Sequence, residues 1–411
     1  MLDQTSRPLR VAVLSSAGGG GGGIAAKRMA DALDSQPDMQ ADFLSGEFFG
    51  GFLPPEVAPM ISFSNRKLTD THYTLEYPGY SRAWLVDFLA GYDVVNIHWA
   101  SYLLGLAELD QLSRRGTRML FMLHDFHYLT GGCHYPAGCT RMTMGCTNCP
   151  QFDDTLGDIN FVPINLRIKQ GLFARPNVHL AAPSKYLRDQ AVTTGMVPES
   201  RAHVLRNAYV PVETDLPWPD DGTIRILVIA DSLTERRKGM PLALESLNQL
   251  AARLESEQPG RPVVAHFVGA ADEALKTALA QSRLAYHLHG RITDHAKLVE
   301  IFTLCDIVLS CSFEDNWPNI LVEAGAYGCV PVVGPGHGCE EFARGYAIGA
   351  VTPDYEARSF ATALLGVMAA VPDRATREAN ARRIRADHQP DLIASTFRSI
   401  ADQMHQLVPS G

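Results

Sequence analysis

Eight short apolar runs recur along this chain, separated by segments of helical length, and no other feature limits its fold so tightly. They are Arg10–Ser15, Asp93–His98, Arg118–Leu123, Val178–Ala182, Ile224–Ala230, Val263–Gly269, Asp306–Ser310 and Val330–Val333. Strands that alternate with helices are joined by right-handed crossovers, so they lie parallel with helices over both faces of the sheet. The alternation pauses once, at Pro211, Pro217, Pro219, Asp220, Asp221 and Gly222, which reads as a linker. The chain has 411 residues, enough for two or three domains. The expectation is α/β: two doubly wound domains with a cleft between them and ligands at the carboxyl ends of the strands. One long irregular insert, Gly46 to Tyr80, is rich in Gly, Pro and aromatic residues, and loops of that length are commonly functional.

Charge narrows the function classes. The net charge is −9, which disfavours a nucleic-acid partner. Residues 1–210 hold 18 Lys and Arg against 19 Asp and Glu, whereas the rest hold 18 against 26. The near-neutral first half tolerates an anionic surface better, so peripheral membrane contact stays open. The longest apolar-rich run, Phe360–Val371, has 12 residues, short of the roughly 20 that span a bilayer. The N-terminus carries an acid and no apolar run, unlike a secretory leader. The expected location is the cytoplasm, with the inner face of the membrane as one site there.

Six glycines, Gly18 to Gly23, follow the first strand and open a helical stretch from Ile24. Backbone without Cβ atoms at a helix start can approach a phosphate or sugar edge closely. A ligand-free flexible loop is the plainer alternative. Taken alone, the run equally fits a dinucleotide enzyme, with Glu47 as the ribose acid.

The second half discriminates. Arg236-Arg237-Lys238-Gly239 follows the strand at Ile224 and opens a helix, a place suited to a diphosphate. Asp315 and Glu323 stand eight residues apart in a strand–loop–helix unit, with Pro318 in the first helical turn. Carboxylates so placed can take the hydroxyl pairs of a ribose and a sugar. A metal pair and a plain helix cap are the competing readings.

The segment 315–333 (DNWPNILVEAGAYGCVPVV) resembles the acid-x7-acid signature of the family-4 retaining glycosyltransferases. Arg-Lys-Gly at 237–239 is similar to that family's diphosphate turn. DVVNIHW at 93–99 and LHD at 123–125 resemble its two His-bearing strand ends. GGCHYPAGCTRMTMGCTNCPQ at 131–151 is similar to a Cys-rich insert of its exopolysaccharide, colanic-acid-type branch. The matches run in family order from about residue 10 to about residue 370.

That resemblance implies a GT-B fold and sugar transfer from a nucleotide-diphosphate donor with retention. It assigns His124, Asp315 and Lys238 to catalysis. Donor contacts fall to Gly22, Gly23, Arg237, Lys238, Asn316, Trp317 and Glu323, with Arg291 and Ile292 at the nucleobase. His98 and Asp125 are placed on the acceptor side. The acceptor is a sugar or lipid-linked sugar, and the setting polysaccharide or glycoconjugate biosynthesis. The implied domains are 1–218, with the insert 131–151; 219–389 for the donor; and 390–411, a helix returning to the first domain. A cationic clamp makes a catalytic metal unnecessary. The sequence departs from the family at Ser232, where an Arg is common. It departs again at Asp315, where Glu is commoner, and at Ala208, where Gly is usual.

Eight cysteines divide into four scattered ones (Cys305, Cys311, Cys329 and Cys339) and four crowded into 17 residues: Cys133, Cys139, Cys146 and Cys149. The C-x5-C-x6-C-x2-C spacing ends in a knuckle common at tetrahedral zinc, and four thiolates close a structural site. An iron–sulfur cluster and free or redox thiols are the alternatives, and His127 and His134 are further ligand candidates. Two rivals to the transferase remain at this level. One is an NAD(P)-dependent oxidoreductase built on the glycine run; the other is a non-catalytic, zinc-braced binding protein of the same fold.

Overall fold

A computed structural model describes residues 7–49, 72–75, 81–151, 161–216, 218–257 and 260–407. Most of the Gly46–Tyr80 insert, residues 50–71 and 76–80, lies outside the described residues. The chain forms two compact units, residues 1–208 with 388–411, and residues 209–387.

The first unit runs β1 (Leu9–Ser15), α1 (Gly20–Asp34), β2 (Met39–Ser45), α2 (Ala83–Leu89), β3 (Val94–Trp99), α3 (Leu106–Arg114), β4 (Arg118–Met122), α4 (Phe161–Phe173), β5 (Val178–Ala182), α5 (Lys185–Thr193) and β6 (Ala202–Val204). The second runs β7 (Ile224–Ser232), α6 (Met240–Glu257), β8 (Val263–Ala270), α7 (Glu273–Ala280), β9 (Ala285–Gly290), α8 (His295–Leu304), β10 (Ile307–Ser310), α9 (Asn319–Gly325), β11 (Val330–Val333), α10 (His337–Tyr346), β12 (Ala350–Val351), α11 (Ala357–Ala369) and α12 (Arg374–Asp387). The last helix, α13 (Pro390–Leu407), belongs to the first unit. None of the described helices is long and apolar enough to cross a membrane.

Each unit holds one six-stranded sheet, ordered β2-β1-β3-β4-β5-β6 in the first and β12-β11-β10-β7-β8-β9 in the second. Every pairing is parallel. The α/β, doubly wound class expected from the sequence is therefore present in both units. The order places a switch point between β1 and β3 in the first sheet and between β7 and β10 in the second. In such sheets the crevice beyond those strand ends is where ligands bind.

Apolar side chains fill both faces of the first sheet. One face packs Leu14, Ile97 and Phe121 against α2, α3 and α4. The other packs Val11 and Val13 against Met29 and Leu33 of α1 and Phe397 and Met404 of α13. Truncating a buried aromatic such as Phe397 to Ala typically costs about 3–5 kcal/mol. The second unit starts at Tyr209, earlier than the linker prolines suggest. Tyr327 explains this: its hydroxyl donates to the Val212 carbonyl at 3.0 Å and accepts from the Val212 amide at 2.8 Å. Trp218 also packs there, with the Arg377 guanidinium 4.6 Å over its ring.

Candidate functional site

The chemistry-bearing residues collect at the switch point of each unit. In the first unit, the β1–β3 register steps from Leu14–Ile97 to Ser15–Trp99 and skips His98. A bulge of this kind re-aims a side chain at a strand end. His98 is buried and meets His124, just beyond β4, with Nδ1 to Nε2 at 2.9 Å.

The hydrogen bonds fix which ring nitrogens carry protons. Asn96 Nδ2 donates to the Leu120 carbonyl at 3.0 Å, which turns Asn96 Oδ1 toward His98 Nε2 at 2.9 Å. His98 therefore donates from Nε2, and its Nδ1 accepts from His124 Nε2 while both rings are neutral. Burial, with a smaller push from His124, holds the His98 pKa well below the usual histidine value. Burial likewise pushes His124 down to about 4, against the opposing pull of Asp125. Neutral His124 thus carries its ring proton on Nε2.

Asp125 faces the other way. Its Oδ1 accepts from the His127 amide at 2.8 Å, and its Oδ2 accepts from His134 Nδ1 at 2.7 Å. Burial would raise this carboxyl, but His134 and the His127 amide hold it below the usual range. His134 Nε2 meets Thr74 Oγ1 at 2.8 Å, so both its ring nitrogens are engaged within the protein. The ring of His127 stacks on that of His134, with centroids 4.6 Å apart.

The glycine run begins α1 within itself, at Gly20 rather than at Ile24. Gly22 stands against the His124 and Trp99 rings, where a Cβ would lie 3.5 and 3.6 Å away. A longer side chain there would cover His124. Gly23 turns inward: a Cβ would come within 2.2 Å of the Ala17 carbonyl oxygen, so only glycine fits.

In the second unit, β7 ends at Ser232 and a 3-10 turn carries Arg236, Arg237 and Lys238. Gly239 closes that turn at φ 67°, with a Cβ position 2.1 Å from the Cys311 carbonyl oxygen. Only glycine allows the basic turn to sit this close to the strand end of β10. Lys238 Nζ donates to Asp315 Oδ2 at 2.6 Å. The Arg237 guanidinium donates to the Glu314 carbonyl at 2.7 Å, pairs with Glu235 at 2.8 Å and stands 3.7 Å from Asp315. Asp315 is buried, which alone would raise its pKa, but Lys238 and then Arg237 hold it below the usual carboxylate range.

Around this pair, Asn316 and Trp317 are buried, and the Trp317 ring packs 5.9 Å from that of Phe342. Pro318 is the cap of α9 rather than a residue of its first turn, and Glu323 is the fifth residue of that helix. The Gly338 amide, in the first turn of α10, donates to the Asp315 carbonyl at 2.8 Å. Glu340, in the same helix, accepts from the Gly336 amide. Arg291 is exposed and pairs with Asp231 near the end of β7 at 2.8 Å, while Ile292 packs partly into the core. The structure thus draws Arg237, Lys238, Asp315, Asn316 and Trp317 together, with Glu323 one helical turn beyond.

Sequence reasoning gave no role of their own to two residues here. His337 sits beside Asp315, its pKa lowered by burial against the pull of that carboxylate. The Tyr355 hydroxyl donates to the Pro335 carbonyl at 2.8 Å and stands 3.2 Å from the Ser312 carbonyl, tying the two site loops together. The first lies in Gly336-His337-Gly338-Cys339-Glu340, which loosely resembles a sugar-facing Gly-Gly-x-x-Glu; the second has no local signal.

The four clustered cysteines line one small pocket of the first unit, with Tyr73, Thr130, Met142 and Val162. Among the described residues, no three His, Cys, Asp or Glu side chains are already gathered at metal-ligand geometry.

Comparison with known proteins bears on these sites. Residues 224–370, within the second unit, match a family model described as Glycosyl transferases group 1. A curated relative is the putative colanic acid biosynthesis glycosyl transferase WcaC of Escherichia coli (strain K12), 24% identical over 233 residues. The match covers 52% of this chain and 51% of WcaC, so the chain spans about half the length of that relative. Among solved structures, Anabaena HepE in complex with UDP-glucose aligns with a TM-score of 0.61 at 16% identity, over 97% of this chain and all of HepE. A sucrose-phosphate synthase from Thermosynechococcus elongatus aligns with a TM-score of 0.55 at 14% identity, over 97% and 98% of the two chains. At these identities the likeness is one of fold, the GT-B type that the sequence resemblance implied.

Proposed function

We propose that this chain is a retaining glycosyltransferase that moves a sugar from a nucleotide-diphosphate donor to a hydroxyl acceptor in polysaccharide or glycoconjugate synthesis. The observation that carries the reading is the Lys238–Asp315 pair, flanked by Arg237, at the switch point of the unit that matches the group 1 glycosyl transferases. HepE, of similar fold, is described in complex with UDP-glucose, so a uridine-diphosphate sugar is the first donor to test.

The geometry suggests how the site works. A donor diphosphate brings negative charge to Lys238 and Arg237, which in the free protein are engaged by Asp315 and Glu235. The diphosphate takes over those cations and frees the Asp315 carboxylate to accept from sugar hydroxyls. Glu323 takes the ribose hydroxyls, and Arg291 with Ile292 borders the base. As the anomeric bond breaks, negative charge grows on the leaving phosphate and positive charge on the sugar ring. Fixed cations aimed at the phosphate stabilise charge that appears only in the transition state. Among the carboxylates gathered here, Asp315 is committed to hydroxyl binding. The acceptor therefore attacks from the face that the diphosphate leaves, and its proton passes to the departing phosphate oxygen. The sequence resemblance assigns His124 to catalysis, and within the first unit its neutral ring is held in one tautomer by His98.

A nucleotide-sugar array read by released nucleotide tests this, with the anomeric configuration of the product set by NMR. Release from one donor class and a retained anomer are expected. An inverted product would overturn the retaining mechanism. Stabilisation by NAD(H) together with no nucleotide release from any donor would overturn the whole reading.

A further inference from the structure

We propose that Cys133, Cys139, Cys146 and Cys149 form a tetrathiolate site for one zinc ion in the first unit, with Lys169 as its buried counter-charge. The four sulfurs come from different turns of the chain yet line one pocket. The remaining cysteines give the contrast: Cys305, Cys311, Cys329 and Cys339 are buried in the second unit, outside that pocket.

The backbone between the clustered cysteines is shaped for this purpose. Ala137, Cys146 and Asn148 hold left-handed φ values of 51°, 54° and 50°, alongside Gly138 at 79° and Gly145 at 78°. Non-glycine residues adopt that region seldom and at some cost, and they cluster where a site demands it. Here the turns bring amide groups to sulfur. The Gly131 amide donates to Cys146 Sγ at 3.3 Å, and the Gln151 amide donates to Cys149. The Tyr73 hydroxyl stands 3.6 Å from Cys149 Sγ. Donors of this kind orient and stabilise thiolate ligands from outside the metal's own shell.

Lys169 is the second, independent observation. It is wholly buried in α4, and its ammonium donates to the carbonyls of His127 at 2.7 Å and Thr130 at 3.1 Å, with Cys146 inside the field of its charge. Arg141 lines the same pocket. A buried cation is tolerated when negative charge is close. Four thiolates on a divalent ion carry a net charge of −2, which Lys169 and Arg141 offset. Binding converts four thiols and Zn²⁺ into four Zn–S bonds and releases four protons, with no change of oxidation state. Rotation of the cysteine side chains draws the sulfurs to the roughly 2.3 Å that the ion requires.

The ion would also steady the residues next door. His134 follows Cys133 directly and holds Asp125, its carbonyl accepts from the Phe126 amide at 2.9 Å, and Thr130 Oγ1 donates to the Cys133 carbonyl at 2.7 Å.

Elemental analysis of the full chain, purified under reducing conditions without added metal, tests the site apart from any activity. About one zinc per chain is expected, released on thiol blocking with p-hydroxymercuribenzoate. Cobalt(II) loaded into the metal-stripped chain should give the intense visible bands of a tetrahedral thiolate complex. Cys146→Ser with Cys149→Ser should abolish both signals, and Lys169→Met should weaken zinc binding by tenfold or more. Because the cobalt spectrum is read on the unmutated chain, it stands even where a variant fails to fold. Iron in place of zinc, a Cys133–Cys149 disulfide in the reduced preparation, or no metal uptake from added zinc or cobalt would overturn the proposal.

Discussion

His98 Nδ1 and His124 Nε2 lie 2.9 Å apart, and a single proton is shared between two neutral rings. The Leu120 carbonyl and the Asn96 amide set the direction of the chain, so His124 is locked in one tautomer from behind. His98 is thus a positioning residue for His124.

Replacing His98 with Phe keeps a planar ring, slightly larger than imidazole, but removes the acceptor. His124 then loses its fixed tautomer, and kcat should fall roughly ten- to a hundredfold with KM for the donor little changed. The acid limb of the pH–rate profile should move at the same time. An unchanged profile with a proportionate loss of folded protein would indicate a purely structural role.

Acid should destabilise the fold through its buried imidazoles. His124, His179, His203 and His266 are each held at about 4, chiefly by burial. In the unfolded chain these rings titrate near pH 6.5, so between pH 6.5 and 4 the unfolded state binds protons that the folded state does not. This contribution is complete above about pH 6.5 and is lost as pH falls toward 4, by at most about 1.4 kcal/mol per ring for each unit of depression. The urea midpoint should drop between pH 7 and pH 5. A midpoint that stayed level or rose over that interval would contradict the buried neutral rings.

Lys238→Ala removes a fixed cation and leaves Asp315 buried with Arg237 as its remaining charged neighbour. Turnover should fall by about a hundredfold or more. Asp315 should also become easier to protonate, since the partner that lowers its pKa most is gone. Glu323→Ala should instead weaken nucleotide binding, seen as a higher Kd for UDP by calorimetry. Equal effects of the two variants on Kd and kcat would not fit separate phosphate and ribose roles.

Gly239→Ala should cost about 1–3 kcal/mol, because the new methyl would meet the Cys311 carbonyl at φ 67°. The basic turn would shift with it, so thermal melting and donor affinity should decline together. An unaltered melting temperature would show that the turn can relax.

Much of this architecture is legible in the amino-acid order, and what escapes has a physical cause. The eight apolar runs correspond to eight strands, each with a neighbour on both sides. The four strands without a clear run, β2, β6, β9 and β12, are the four sheet edges. An edge strand is open to solvent on one side, so β9 (AYHLHG) is half exposed and carries no continuous apolar signature. The basic turn and Asp315 are readable because they are close in sequence to strand ends. His337, Tyr355 and Lys169 are not, since each acts on a partner brought near only by folding, and the Asn96 side chain is turned by the Leu120 carbonyl of the neighbouring strand. Burial of Lys169 in particular runs against what a lysine in a helix suggests.

The six consecutive glycines look interchangeable on paper, but the fold gives them unequal freedom to drift. A side chain at Gly23 collides with backbone, whereas nothing lies within 4 Å of a Cβ at Gly19 or Gly21. In a saturation library selected only for folding, those two open positions should accept many residues while Gly23 accepts none. Selected for turnover instead, intolerance at Gly19 and Gly21 would trace the outline of a ligand that presses on this loop. The run thus carries its own internal control, and comparing the two selections reads out where substrate touches the backbone.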